Sequence, residues 1–269
     1  MRVRGRIVLL ARRYKKGTGL RKRVFPPRLM IDLTEAERAA VAAMWLFRAK
    51  AEQETAATYS DLANRLREGG APAEMVARVE AAGHDEIRHR DLCAALAGRL
   101  GSALPPWTSA RLRRIAPHDL NGGVRLLYEM VALFCVTESI NATLLLRSWE
   151  QAHDASAREL LHALLTDEVE HSRIGWAYLA TVSEWRSAVS ARLPVILAAT
   201  THDETFLVEP FPLPDSPALV AHGMLPRDEL RRVFSDAMQD VVLPGLDLCG
   251  FDTTTARAWL DDCTRRWAY

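Results

Sequence analysis

The sequence predicts an all-α protein: a four-helix bundle with a long crossover between its second and third helices, followed by additional C-terminal helices. Three observations predict this. Long stretches place apolar residues three and four apart, start and stop signals bracket those stretches, and the strict apolar–polar alternation of a half-buried strand is missing. The 269 residues suit one large domain, and 49% hydrophobic with 26% charged residues is a globular composition, not a disordered or fibrous one.

Each element follows from local chemistry. Thr34-Glu35-Ala36-Glu37 is a capping box opening a helix that runs to about Arg67 and stops at Gly69-Gly70. Pro72 suits a first helical turn, and the second helix continues from it to Gly101. Pro105-Pro106, Pro117 and Asn121-Gly122-Gly123 mark the crossover, with one short helix around 109–114. A third helix covers about 124–150, and Asp154 caps a fourth that reaches about Val182. Short, long and short connections predict an up-down-down-up bundle over 34–182. A fifth helix near 184–203 must accommodate Pro194. The proline-rich stretch 204–226 reads as a surface loop, and helices over about 227–242 and 254–266 complete a single domain of residues 28–269.

A formal net charge of +1 hides an asymmetry. Residues 1–23 carry ten Lys and Arg and no acid, which leaves 25 basic against 34 acidic side chains in the remainder. Residues 1–27 therefore form a basic arm on an acidic body, a solvated leader or a docking element for an acidic partner. The arm lacks the long apolar core of a secretory signal, because Arg12 ends the run Ile7 to Ala11, although its composition also fits a mitochondrial transit peptide. Cys93, Cys135, Cys249 and Cys263 are far apart with no CxxC pair, so reduced thiols and a cytoplasmic location are expected. The longest apolar stretch, 126–137, is interrupted by Glu129 and is short for a membrane span.

Placing the acids on helix faces exposes the chemistry. The inward stripe of the first helix reads Val41, Trp45, Arg48, Glu52, Thr55, Tyr59, Leu62, Leu66, and that of the second Met75, Val79, Ala82, Glu86, His89, Cys93, Leu96, Leu100. The third reads Val124, Leu127, Val131, Cys135, Glu138, Ala142, Leu145, and the fourth Ala157, Leu161, Leu164, Glu168, His171, Gly175, Tyr178. Each helix thus brings one carboxylate to an apolar face, and two add an imidazole three residues later. Burying four carboxylates together is prohibitive without positive charge. Arg48 is the only Lys or Arg on the stripes. Two divalent cations about 3.5–4 Å apart would balance the set, with Glu52 and Glu138 terminal, Glu86 and Glu168 bridging, and one histidine each from His89 and His171. Oxygen donors with one imidazole per metal suit iron or manganese, alone or mixed. Glu54 competes with Glu52, but its own face (Met44, Phe47, Ala51, Thr58, Asp61, Arg65) turns polar early, which favours Glu52. Asp85 and Asp167 precede the bridging glutamates and are expected to orient ligand imidazoles. Tyr59 and Cys135, on the inner face near the ligands, are core filler or redox-active neighbours.

This ligand set resembles the ferritin-like dimetal-carboxylate superfamily over residues 34–182. Asp85-Glu86-Ile87-Arg88-His89 resembles the DExRH motif of diiron oxygenases, which implies an outer role for Asp85 and Arg88. Asp167-Glu168-Val169-Glu170-His171 is similar but carries Glu170 in place of the arginine. Ala51-Glu52-Gln53-Glu54 with Tyr59, the stretch 167–179 and Gly250-Phe251-Asp252-Thr253 look most like aldehyde-deformylating oxygenases. Arylamine N-oxygenases are a second similar branch, although their extra metal-binding histidine falls where this chain has Leu164.

The resemblance implies an O2-activating oxidoreductase with two iron ions, fed by an external reductase or ferredoxin, since no GxGxxG motif is present. It would act on a small organic, acyl or carrier-bound substrate as a monomer or homodimer. Competing readings are a ferritin- or rubrerythrin-type ferroxidase or peroxidase, and a metal-free nucleic-acid adaptor using the basic arm. The adaptor leaves the inward carboxylates unexplained.

Overall fold

In the computed structural model, residues 33–107, 112, 115–200 and 216–267 are described. The basic arm, the short helix expected around 109–114 (save Leu112), residues 201–203 of the expected fifth helix and residues 204–215 of the expected loop lie outside them. Among the described residues every regular element is helical.

Helix α1 (Glu35–Glu68) starts where the capping box puts it: the Thr34 hydroxyl accepts from the Glu37 N–H, and the Glu37 carboxylate accepts from the Thr34 N–H. Helix α2 (Ala73–Arg99) follows the Gly69-Gly70 turn. Helix α3 (Gly122–Gln151) follows the crossover, and α4 (Ala155–Thr181) begins at Asp154, whose carboxylate accepts from the Ala157 N–H. Side-chain pairs fix the helix directions. Gln53–Arg90 and Arg67–Glu80 run α1 against α2, and Arg48–Asn141 and Arg65–Glu129 run α1 against α3. Asp85–His171 and His89–Asp167 do the same for α2 and α4, as Ser139–Trp176 and Asn141–Glu168 do for α3 and α4. In each of these pairs one sequence number rises as the other falls, so the partners are antiparallel.

These four helices bury two separate apolar clusters. One holds Tyr59, Leu62 and Leu66 of α1 with Val79 of α2, Phe134 of α3 and Leu179 of α4. The other holds Val41 and Trp45 with Cys93, Leu145 and Leu161 from the same four helices. Along α1, α2 and α4 the level of Glu52, Glu86 and Glu168 lies between the two clusters, and on α3 Glu138 reaches that level at the edge of the first. A polar layer therefore sits between two dry ones, which is where an ion pair or a bound ion is least screened.

The structure departs from the sequence reading in four places. Helix α3 is not a uniform α-helix: Val131–Thr137 is wound as a π-helix between Gly122–Met130 and Glu138–Gln151. The stripe periodicity missed this because every residue from Leu127 to Ala132 is buried, so no polar face marks the register. The expected helix over 184–203 is two short ones, α5 (Arg186–Ser190) and α6 (Leu193–Thr200). The break falls just before Pro194, which sits in the first turn of α6 where its missing N–H is not needed. Part of the expected 204–226 loop is a helix, α7 (Pro217–Ala221), capped by the Ser216 hydroxyl accepting from the Leu219 N–H. Finally, the helix expected over 227–242 runs on to 248: α8 comprises Arg227–Ala237, a π segment Met238–Val242 and Leu243–Leu248. Pro244 is tolerated because the π segment resets the hydrogen bonding ahead of it. Helix α9 (Thr254–Trp267) ends the described chain.

By length and composition α3 is apolar enough to cross a membrane, but 67% of its most apolar window is buried inside the protein, as in a core helix. Gly175 shows how tightly it packs. A Cβ at that position would lie 2.7 Å from Cys135 Sγ and 2.9 Å from the Cys135 backbone nitrogen, so a glycine lets α4 approach the π segment. Gly175→Ala is expected to cost about 1–3 kcal/mol, and thermal melting should show a drop of several degrees; an unchanged melt would mean that the helices can part there freely.

Candidate metal centre

The i, i+3 spacing puts Glu86 and His89 on one face of α2, and Glu168 and His171 on one face of α4. Glu52 comes from the middle of α1, and Glu138 is the first residue after the π segment of α3. All six residues are buried, none more than 5% exposed. Their ligand atoms form two groups, each lying within 4.8 Å of one another: Glu52, Glu86, His89 and Glu168 in one, Glu86, Glu138, Glu168 and His171 in the other. Glu86 and Glu168 belong to both groups. Glu54, the competing residue, is only half-buried and lies outside both groups.

Behind the histidines the helices exchange partners. His89 Nε2 of α2 is 3.0 Å from Asp167 Oδ2 of α4, and His171 Nε2 of α4 is 3.4 Å from Asp85 Oδ2 of α2. Arg88 spans the two, donating to Asp85 Oδ1 at 2.8 Å and to Asp167 Oδ2 at 2.7 Å. These contacts leave each Nδ1 facing the glutamates. His89 Nδ1 is 3.4 Å from Glu86 Oε2 and 3.6 Å from Glu168 Oε1, while His171 Nδ1 is 3.1 Å from Glu86 Oε1 and 2.9 Å from Glu168 Oε2. A carboxylate behind an imidazole fixes its tautomer and leaves the other nitrogen's lone pair for a metal.

Two further groups touch the outer glutamates. The Tyr59 hydroxyl donates to Glu138 Oε1, and Arg48 pairs with Glu52 (Nε to Oε1, 3.0 Å). Arg48 Nη2 also donates to Asn141 Oδ1 at 2.8 Å, and Asn141 Nδ2 donates to Glu168 Oε1 at 3.0 Å. Asn141 was not picked out from the sequence, although its position three residues after Glu138 puts it on the same face. Glu129 was read only as a break in an apolar run. It is in fact a buried carboxylate neutralised by Arg65 and Arg125, a structural ion-pair network outside the ligand groups. Cys135 packs in the π segment against Gly175 and also lies outside both groups.

The electrostatics without an ion show what the layer requires. Burial and the Glu86 carboxylate push Glu52 well above the usual carboxylate range, and burial with Glu168 and Glu86 does the same to Glu138. Burial opposes charge on His89, but its hydrogen bond to Asp167 and the Glu86 carboxylate beside it outweigh that and push its pKa up to about 10. The same balance, with Asp85, Glu168 and Glu86 as partners, raises His171. For Glu86 burial is outweighed by the neighbouring His171 and His89 imidazoles, which hold it well below the usual range. Asp85, bonded to His171, drops to about 2, and burial together with Glu138 keeps the Tyr59 phenol protonated far above its ordinary pKa. Protons are standing where cations would.

The donor set fits a metal. Both oxygens of Glu86 and Nδ1 of His89 are buried with no hydrogen-bond partner, a costly arrangement for polar atoms at the centre of a layer unless an ion completes them. Buried Glu/His groups here can hold a metal ion, and carboxylate oxygen with imidazole nitrogen suits a first-row divalent ion. Comparisons with known protein families, characterised proteins and solved structures return no match for this chain.

Two measurable consequences follow for the metal-free protein. Because the His89 pKa is raised above its unfolded value near 6.5, its contribution to stability is full below that pH and is lost as pH rises through about 10. The melting temperature of metal-free protein should therefore fall across that window. Metal uptake near pH 7 must displace the imidazolium protons and those held by the raised Glu52 and Glu138 carboxylates, and calorimetry in buffers of different ionisation enthalpy should detect that proton release; uptake with no proton release would refute the protonated state.

Proposed function

We propose that the chain is an O2-activating dimetal oxidoreductase of the ferritin-like superfamily, with two iron ions as its most fitting cofactor. The observation that carries the reading is the pair of four-ligand groups sharing Glu86 and Glu168. Two ions bound there would each have one histidine and one terminal glutamate, with two glutamates in common. The antiparallel pairings and the long crossover support a ferritin-like arrangement of α1 to α4.

When bound, a pair of redox-active ions supplies electrons to dioxygen, chemistry that no amino-acid side chain offers. The chain's own residues do the rest. Asp167 and Asp85 hold the Nε2 protons of His89 and His171, Tyr59 holds one oxygen of Glu138, and the two apolar clusters keep water from the layer. A pocket lined by Val41, Trp45, Leu96 and Ala157 together with the polar Arg99, Asp154 and His222 opens at one end of the bundle. Trp45 is seven residues before Glu52 on α1, about 10 Å along the helix, and we place entry of a small organic or acyl substrate there. Electrons would come from a separate reductase or ferredoxin, and a monomer or homodimer in the cytoplasm completes the reading.

Metal analysis of protein expressed with iron, joined to an optical spectrum after exposure to oxygen, tests this. The wild type should hold about two ions per chain, and Glu86→Ala or Glu168→Ala should fall well below that with helicity nearly intact by circular dichroism. Full loading in both variants would overturn the ligand assignment. Elution as a large shell in size-exclusion chromatography would favour iron storage over oxygenation.

A further inference from the structure

The two halves of the ligand layer are matched in nearly every respect. Each has one histidine and one terminal glutamate, both share Glu86 and Glu168, and each histidine has an aspartate behind it tied to the same Arg88. They differ in what holds the terminal glutamate. In the Glu52/His89 half it is a fixed cation, Arg48, 3.0 Å from Glu52 Oε1. In the Glu138/His171 half it is the neutral Tyr59 hydroxyl.

Arg48 reaches a second ligand of its own half. Through Asn141 it is connected to Glu168 Oε1, the oxygen 3.6 Å from His89 Nδ1, while Oε2 of the same carboxylate faces His171 Nδ1 at 2.9 Å. Two oxygens of the Glu52/His89 half are thus already engaged by a guanidinium and the amide it orients. An arginine does not lose its proton under any accessible condition. A divalent ion entering that half must share Glu52 with a positive charge in a poorly screened layer; an ion entering the other half need only share Glu138 with a phenol O–H.

We propose that the two metal positions are unequal and fill in order, the Glu138/His171 half first and tightly, the Glu52/His89 half second and weakly, with Arg48 as the positioning residue that sets the difference. This rests on the dimetal reading above. A chain built this way holds a single ion at low metal supply and completes its pair only when supply rises.

Calorimetric titration of the metal-free full chain with Mn2+ tests the order without any assay of activity. The wild type should give two steps whose dissociation constants differ by at least about tenfold. Glu138→Ala should remove the tight step, and Glu52→Ala the weak one. Arg48→Met should bring the two steps to within about threefold of each other, while Arg48→Lys, which keeps the charge, should hold them apart; circular dichroism establishes that each variant is folded. A single class of two equal sites, or loss of the tight step in Glu52→Ala, overturns the proposal and leaves the dimetal reading standing. No uptake at all by the wild type overturns both.

Discussion

Four carboxylates in one buried layer are the constraint on which the rest of the structure depends. Left alone, they would repel one another with little water to screen them, and the bundle would open at its middle. What stands around them is all compensation. Two imidazoles take up protons, Arg48 and Asn141 grip one outer glutamate and one shared glutamate, and Tyr59 grips the other outer one. Glu86, at the centre, keeps two oxygens with no hydrogen-bond donor, and there the compensation is incomplete. Hydrogen bonding alone does not finish the layer, and a bound cation is what its donor atoms could accommodate.

The crossed aspartates serve two purposes at once. Each orients a histidine, and because each reaches across to the other helix, they also bolt α2 to α4 at the level of the site. Arg88, half in solvent, closes the outside of that bolt. The residues that hold the ligands in register are therefore also those that hold the helices together. A ligand-cage geometry that depends on helix spacing gains from this, since the spacing is fixed from within the cage itself.

Much of this was legible in the sequence. The stripes of α1, α2 and α4 carry through to burial almost residue by residue, because each alternates apolar inward positions with polar outward ones. The six residues of the two candidate metal groups stood out because a carboxylate on an otherwise apolar stripe is a rare event, and four at matched heights rarer still. The choice between Glu52 and Glu54 turned on where each face becomes polar, and the burial follows that reasoning. Other features were illegible for physical reasons. Nothing in a spacing pattern says that Asp85 reaches His171 and not His89, since that depends on the offset between two helices. Asn141 hid as an ordinary polar residue, its role set by Arg48 on another helix. The π turn begins in a stretch, Leu127 to Ala132, that is buried on all sides, where one register looks as apolar as another.

That π turn has a bearing on how the chain tolerates change. Seven residues wound a little wider than their neighbours absorb one extra residue, a twist of about 100° relative to an ordinary helix. On one side of it α3 aims Glu129 at Arg65 and Arg125; on the other it aims Glu138 at the shared glutamates. Relaxing 131–137 to the common pitch at unchanged length would swing one of those acids away from its partners and strand it in oil, whereas relaxing it with one amino acid deleted would leave both facing as they do. The winding of that short stretch, matched to its length, is what keeps both ends of α3 facing their partners.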